Sequence, residues 1–184
     1  GSSALTAGRY HYDFTMAFDR EVPLLPVFVW FYILAFPFWA VGYLLATRRG
    51  KDMFYRFVAT DLTIHFICFI CFILIPTTNI RPEIAGNTLS EKILALVYSL
   101  DGGNSPSNLF PSIHCYVSWM CWKGVEGSEK VPKWYQRFSL VFAILIIIST
   151  QVLKQHYIVD AAAALLLVEF FWRFYQKGQR HKWV

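Results

Sequence analysis

Residues 24–46 run for 23 positions without an Asp, Glu, Lys or Arg. A bilayer core is crossed by a helix of about 20 such apolar residues. Further apolar runs cover residues 57–75, interrupted by Asp61 and His65, then 138–153, and then 157–172, which carries Asp160 and Glu169. Residues 111–125 are a shorter run, read as a helix that starts below the membrane surface, with Pro111 in a first turn where no backbone N–H is missed. The competing reading is a set of core helices in a soluble domain. A domain of this size buries only about 70% of its unfolded surface. With 56% hydrophobic, 18% aromatic and 16% charged residues in 184, five such runs leave no polar shell to cover them. The same composition excludes disorder. The expected fold is therefore all-α: a polytopic membrane helical bundle of about five transmembrane helices, forming one integral-membrane domain over residues 1–184.

The formal net charge of +5 leaves nucleic acid, an anionic membrane and an anionic substrate open. Charge placement separates them. Arg48, Arg49, Lys51 and Arg56 lie between the first two runs, and Lys123, Lys130, Lys133 and Arg137 between the third and fourth. Arg173, Lys177, Arg180 and Lys182 follow the last. These connections alternate, so five spans put all twelve of these basic residues on one side. The other side, residues 1–23 and 77–110, holds Arg9, Arg20, Arg81 and Lys92 against Asp13, Asp19, Glu21, Glu83, Glu91 and Asp101. The positive-inside rule then places the C-terminus in the cytoplasm and residues 77–110 outside. The expected setting is a bacterial plasma membrane, with membrane lipids as partners and no nucleic acid. The N-terminus falls outside without a signal sequence, and Gly1-Ser2-Ser3 reads as a cloning remnant. A first span, upstream of the numbered chain or removed from it, would make six in a full-length protein.

Residues 1–23 form an outer lead-in segment whose Tyr10, Tyr12 and Phe14 fit an interfacial aromatic belt. Within the outer loop, residues 87–100 carry a short amphipathic helix opened by Ser90, Glu91 and Lys92. Ile93, Leu94, Leu96, Val97 and Leu100 form its apolar stripe. Such a helix lies flat at the interface or packs on the bundle.

Three short stretches share the outer side: Ile80-Arg81-Pro82; Phe110-Pro111-Ser112-Ile113-His114; and Ser149-Thr150 followed by His156 and Asp160. His156 and Asp160 are four apart, one helical turn on one face. A carboxylate there fixes the imidazole tautomer and leaves the other nitrogen as nucleophile or base. His114 sits in a first helical turn, where free N–H groups favour an anion such as phosphate. Ser112 adds a hydroxyl, and Arg81 a planar fork for two phosphate oxygens. A lone membrane histidine is more often a packing residue. Two histidines with a carboxylate and cationic donors at one membrane face suit phosphoryl transfer, which requires positioning and charge neutralisation. Ionisable residues within apolar helices are expensive and are usually functional.

These stretches resemble the signature of the type 2 phosphatidic acid phosphatase superfamily, which includes lipid phosphatases, sphingolipid-forming phosphotransferases and vanadium haloperoxidases. Its pattern is a Lys, six residues, Arg-Pro; then Pro-Ser-Gly-His; then Ser-Arg, five residues, His, three residues, Asp. Arg81-Pro82, then Pro111, Ser112 and His114, then Ser149, His156 and Asp160 match it. The resemblance implies that His156 attacks phosphorus and carries a phosphohistidine, that Asp160 orients it, and that His114 protonates the leaving oxygen. It also implies that Arg81 and Ser112 hold the non-bridging oxygens, with no metal or other cofactor. Leu74, Ile113 and Thr150 stand where the pattern has Lys, Gly and Arg. Two phosphate-binding cations are thus replaced, and Lys154 is the expected substitute, with Ser149 beside it; an interfacial lysine with its head in water is the alternative. His156-Tyr157-Ile158-Val159-Asp160 also resembles the His-Tyr-x-x-Asp of the sphingolipid phosphotransferases.

The expected activity is hydrolysis of a lipid phosphate monoester at the outer leaflet, with transfer of a phospho-head-group to an alcohol as the alternative. The substrate partner is then a phospholipid or lipid phosphate. A non-enzymatic haem or proton-relay protein could use His65, His114 and His156, and a structural bundle would use none of them. Asp61 and His65, another i, i+4 pair, read as a structural polar contact, and Glu169 as the partner of Arg173. Cys68 and Cys71, like Cys115 and Cys121, read as small buried side chains. Gly102-Gly103 reads as a turn.

Overall fold

The computed structural model describes residues 5–6, 8–102 and 106–180, with side chains through Gln176. Gly1-Ser2-Ser3, Gly103 and Lys182 lie outside the described residues. Seven helices follow in order: α1 Ala17–Glu21, α2 Val29–Ala46, α3 Lys51–Leu74, α4 Leu89–Leu100, α5 Ile113–Val125, α6 Lys133–Val152 and α7 Ile158–Arg180. Two short strands, β1 Tyr12–Asp13 and β2 Thr77–Thr78, pair in parallel. Short 3-10 turns, Pro26–Phe28 and Thr47–Arg49, extend α2 at both ends. After the second turn the chain reverses at Gly50, whose φ of 100° suits a residue without a Cβ.

Among the described residues, three helical stretches are long and apolar enough to cross a membrane: Pro26–Arg49, Lys51–Leu74 and Lys133–Val152. The expected count was five. Helix α5 has 13 residues, about 20 Å at 1.5 Å per residue, and is short of the roughly 30 Å hydrocarbon core. Helix α7 is long enough, but Asp160, Glu169, Arg173 and Lys177 fall along it.

Helix α5 is the centre of the bundle. It packs against α2, α3, α6 and α7, and nine of its 13 residues are buried. Tyr116, Met120 and Cys121 have no exposed surface. Helix α2 approaches it at Gly42, where an added Cβ would lie 2.7 Å from Cys121 Cβ. The outward faces are apolar, with Phe36, Leu62, Phe66, Leu166 and Phe170 exposed, as lipid-facing surfaces require.

One end of the bundle gathers the basic residues. Arg49 donates to the carbonyls of Lys123 and Gly124 at 3.3 Å. Arg56 donates to Trp172 O at 2.9 Å and lies 4.1 Å from the Trp172 ring centroid. Lys123 is 3.3 Å from Glu169, so that carboxylate is shared by Lys123, Arg173 at 3.5 Å and the Trp119 indole at 3.0 Å. Arg173 was the expected partner.

The opposite end is a cap woven from the lead-in segment and the loops. Thr77 Oγ1 accepts the N–H groups of Leu109 at 2.9 Å and Phe110 at 3.0 Å. Asp19 is buried, and its Oδ1 accepts the Ile158 N–H at 3.0 Å, in the first turn of α7. Leu25 N donates to Val152 O at 3.0 Å. Helix α4 is closed by a capping box of Thr88 and Glu91 rather than by Ser90. It buries Leu94 and Tyr98 while leaving Leu89, Leu96 and Leu100 exposed, so it both packs on the bundle and presents an apolar edge outward. Pro111 precedes the α5 cap, Ser112, instead of occupying the first turn. The backbone bends there into an extended Ser112 before the helix can begin.

Asp61 and His65 take separate partners. Asp61 Oδ1 accepts from the Tyr43 hydroxyl at 2.7 Å, and His65 Nδ1 meets the Tyr116 hydroxyl. Both contacts tie helices together, as a structural role requires.

Candidate active site

The α6–α7 junction is dictated by local backbone chemistry. Helix α6 ends at Val152, and Lys154 adopts a left-handed φ of 52°. The amides of Gln155 and His156 both donate to Thr150 O, at 3.0 and 3.1 Å. The chain thereby turns so that His156 lies two residues before the start of α7. Asp160, in the first turn, reaches back to accept the Tyr157 N–H at 2.9 Å through Oδ2. The same oxygen lies 3.4 Å from His156 Nδ1. Both residues are buried, His156 at 7% and Asp160 at 1% exposure. The distance is long for a hydrogen bond, and such contacts often tighten only on substrate binding. It assigns the Asp160 side to Nδ1 and leaves Nε2 for chemistry.

Helix α5 supplies the second histidine. Ser112 caps it, its Oγ accepting the Cys115 N–H at 3.3 Å, and its own N–H donates to Asp160 O at 3.2 Å. That backbone bond docks the α5 start on the first turn of α7. His114 stacks on Tyr32 with centroids 4.3 Å apart and lies 5.1 Å from the Trp39 ring. Its ring centroid is 6.0 Å from that of His156. His114 Nε2 is buried and has no hydrogen-bond partner among the described residues. The two histidines face one cavity of about 950 Å³, whose wall includes Tyr32, Phe36, Trp39 and Asp101. That volume is typical of small-molecule sites.

Arg81 lies behind this wall. It is buried, with its guanidinium 2.6 Å from Asp101 Oδ2. Nη2 also donates to Gln155 Oε1, and Nη1 to the carbonyls of Asp101 at 3.1 Å and Tyr98 at 3.3 Å. The guanidinium sits 4.7 Å from the Tyr98 ring centroid. Burial pushes the Tyr98 hydroxyl up to about 12, with Arg81 pulling the other way.

The structure thus brings His114, His156 and Asp160 together, with Ser112 at the joint and Arg81 one side chain away through Gln155. It does not bring Lys154 or Ser149 to the cavity. Lys154 Nζ donates to the carbonyls of Asp19 at 2.7 Å and Val22 at 2.5 Å, because the left-handed turn aims its side chain at the lead-in segment. Burial lowers its pKa, opposed by nearby Asp19. Ser149 Oγ donates to Ile146 O at 2.6 Å within its own helix.

Three residues had no signal in the sequence. Asp101 pairs with an arginine 20 residues away, at no helical or strand spacing. Gln155 fills an unspecified position of the third stretch, yet it is 1% exposed and its Nε2 has no partner among the described residues. Thr77 holds the loop that leads to Ser112. Among the described residues no three His, Cys, Asp or Glu side chains group as a metal site.

The family model described as PAP2 superfamily matches residues 10–172. No curated protein and no solved structure matches the chain.

Proposed function

The chain belongs to the PAP2 superfamily, and from that premise we propose that it cleaves a phosphate ester of a lipid at the outer membrane face through a phosphohistidine on His156. Membership supports a phosphatase-like activity, and the three apolar helices support an integral membrane protein. The observation that carries the reading is the buried pair of His156 and Asp160, with His114 across one cavity.

In this reading the lone pair of His156 Nε2 attacks phosphorus and the P–O bond to the leaving alcohol breaks. His114, whose pKa is lowered to about 3 by burial and by the neighbouring His156, takes up a proton as the negative charge of the phosphate arrives and gives it to that oxygen. Asp160, 3.4 Å from Nδ1, stabilises the charge that the ring acquires, the role a buried carboxylate plays beside a catalytic imidazole. The N-terminus of α5, with its Ile113 and His114 amides, faces the developing negative charge. In the second half His114 takes a proton from the acceptor as it attacks, and the N–P bond breaks. Water as acceptor gives a phosphatase acting on a lipid phosphate; an alcohol gives a phosphotransferase. The basic end of the bundle would face the cytoplasm, which would put the cavity at the outer leaflet.

The test is a panel of labelled lipid phosphate esters with the purified protein, following free phosphate and lipid products together. Turnover that vanadate inhibits is expected. Turnover unchanged in His156→Ala, or no product from any ester, overturns the reading.

A further inference from the structure

The α6–α7 junction that carries His156 is pinned at three consecutive residues. The Tyr98 hydroxyl donates to Leu153 O at 2.7 Å, Asn79 Nδ2 donates to Lys154 O at 2.9 Å, and Arg81 Nη2 donates to Gln155 Oε1. Asn79 and Arg81 follow β2, buried on either side of an exposed Ile80, an alternation that turns both toward the protein. Tyr98 comes from the last turn of α4 and is buried as well. The donors also hold one another. Arg81 Nη1 donates to Tyr98 O at 3.3 Å, and the guanidinium lies 4.7 Å from the Tyr98 ring centroid. Asp101, just past α4, fixes the other side of Arg81 at 2.6 Å.

The junction needs such support. Lys154 sits at a left-handed φ of 52°, a conformation that is costly for a residue with a Cβ and persists only where its surroundings over-determine it. The ring of His156 lies 3.4 Å from Asp160, which is long for a hydrogen bond and leaves much of its placement to the backbone that carries it. Arg81 is built for that support and is badly placed to hold a phosphate. Its side chain has no exposed surface and is absent from the cavity wall. Both Nη atoms are engaged, with Asp101, Gln155 and the carbonyls of Tyr98 and Asp101. A phosphate in the cavity would reach it only by breaking buried hydrogen bonds and leaving their acceptors unmet.

We propose that Arg81 is a positioning residue: acting through Gln155, and supported by Asn79 and Tyr98, it sets where His156 stands in the cavity. This rests on His156 being the nucleophile, and it departs from the phosphate-holding role that the family resemblance implies for Arg81.

Two measurements test it. The first is kcat and KM on one labelled lipid ester for Arg81→Met, Gln155→Met and the double variant, with kcat counted per folded protein from the melt in the same detergent. Gln155→Met leaves the Arg81–Asp101 pair intact, so it isolates the link even where Arg81→Met folds poorly. The second is retention of the same ester by the His156→Ala protein, with and without Arg81→Met, read by native mass spectrometry. With no nucleophile left to place, a positioning residue has nothing to contribute there, whereas a phosphate-holding residue still does. Each single variant should lower kcat by about 10²-fold, the cost of a misplacement of about 1 Å. KM should stay within about threefold, since uniform binding is untouched. The double variant should lose no more than the worse single one, because both act through one contact. Adding Arg81→Met to His156→Ala should leave retention within about threefold. A fall in retention of about tenfold or more, the scale of a lost hydrogen bond to a charged group, overturns the proposal and makes Arg81 a phosphate ligand. A wild-type kcat in folded Gln155→Met overturns the link to His156. Turnover that persists in His156→Ala overturns the mechanism itself, and the role of Arg81 with it.

Discussion

Asp160→Asn separates the two roles that the structure gives this side chain. Asp160 Oδ2 accepts the Tyr157 N–H at 2.9 Å and lies 3.4 Å from His156 Nδ1. An asparagine can keep the first contact, because its carbonyl oxygen still accepts from the amide. Because that one oxygen makes both contacts, the opposite amide orientation would put an NH2 beside Nδ1 and give up the Tyr157 N–H; in either orientation the negative charge that faces the ring is lost. The expected loss in kcat is about 10³–10⁴-fold, the scale found when a buried aspartate that fixes a catalytic histidine tautomer becomes an asparagine. Stability should change much less. The lost charge at a helix N-terminus is worth about 0.3–1 kcal/mol, or a fall in Tm of at most roughly 2–4 °C for a chain of this size. Asp160→Ala removes the cap as well, adding about 1 kcal/mol of destabilisation. Turnover of a labelled lipid ester and thermal unfolding in the same detergent read the two effects. If Asp160→Asn keeps activity within about tenfold of wild type, a barrier change of under 1.4 kcal/mol, the carboxylate serves as a cap alone and the reasoning fails.

Lys154→Met should leave turnover within about tenfold, whereas removal of a group that stabilises transition-state charge costs about 10²–10³-fold; kcat and KM on one lipid decide. Thr77→Val removes the acceptor of the Leu109 and Phe110 amides. It should cost about 1–3 kcal/mol, read as a lower unfolding temperature, and should slow turnover by loosening the approach to Ser112. Gly42→Ala sets a methyl 2.7 Å from Cys121 Cβ, and overpacking of this kind costs about 1–3 kcal/mol. The double variant with Cys121→Gly should recover most of that loss in the same melt.

The helices were legible because lipid exposure writes itself into the sequence as long uncharged runs. Residues 24–46 and 57–75 became Pro26–Arg49 and Lys51–Leu74 with small changes at the ends. Helix α5 was harder: its residues are apolar because it is buried by four neighbours, and burial in protein and burial in lipid select the same side chains. Within the site, His114, His156 and Asp160 were readable from spacing, since i, i+4 and a helix start fix their geometry locally. The expected direction of Lys154 toward His156 assumes a regular backbone, and the left-handed turn at that residue aims its side chain at the lead-in segment instead. Asp101 and Gln155 were invisible because tertiary packing, not periodicity, brings them to Arg81.

The account rests on His156 becoming covalently phosphorylated, and rapid acid-free quench of the protein mixed with a phosphorus-labelled lipid ester tests that most directly. The label should appear on His156 by peptide mass spectrometry, be lost in acid, survive in base, and be absent in His156→Ala. It should accumulate when the acceptor step is slowed. Label on another residue, or an acid-labile phosphoenzyme that persists in His156→Ala, would contradict the account.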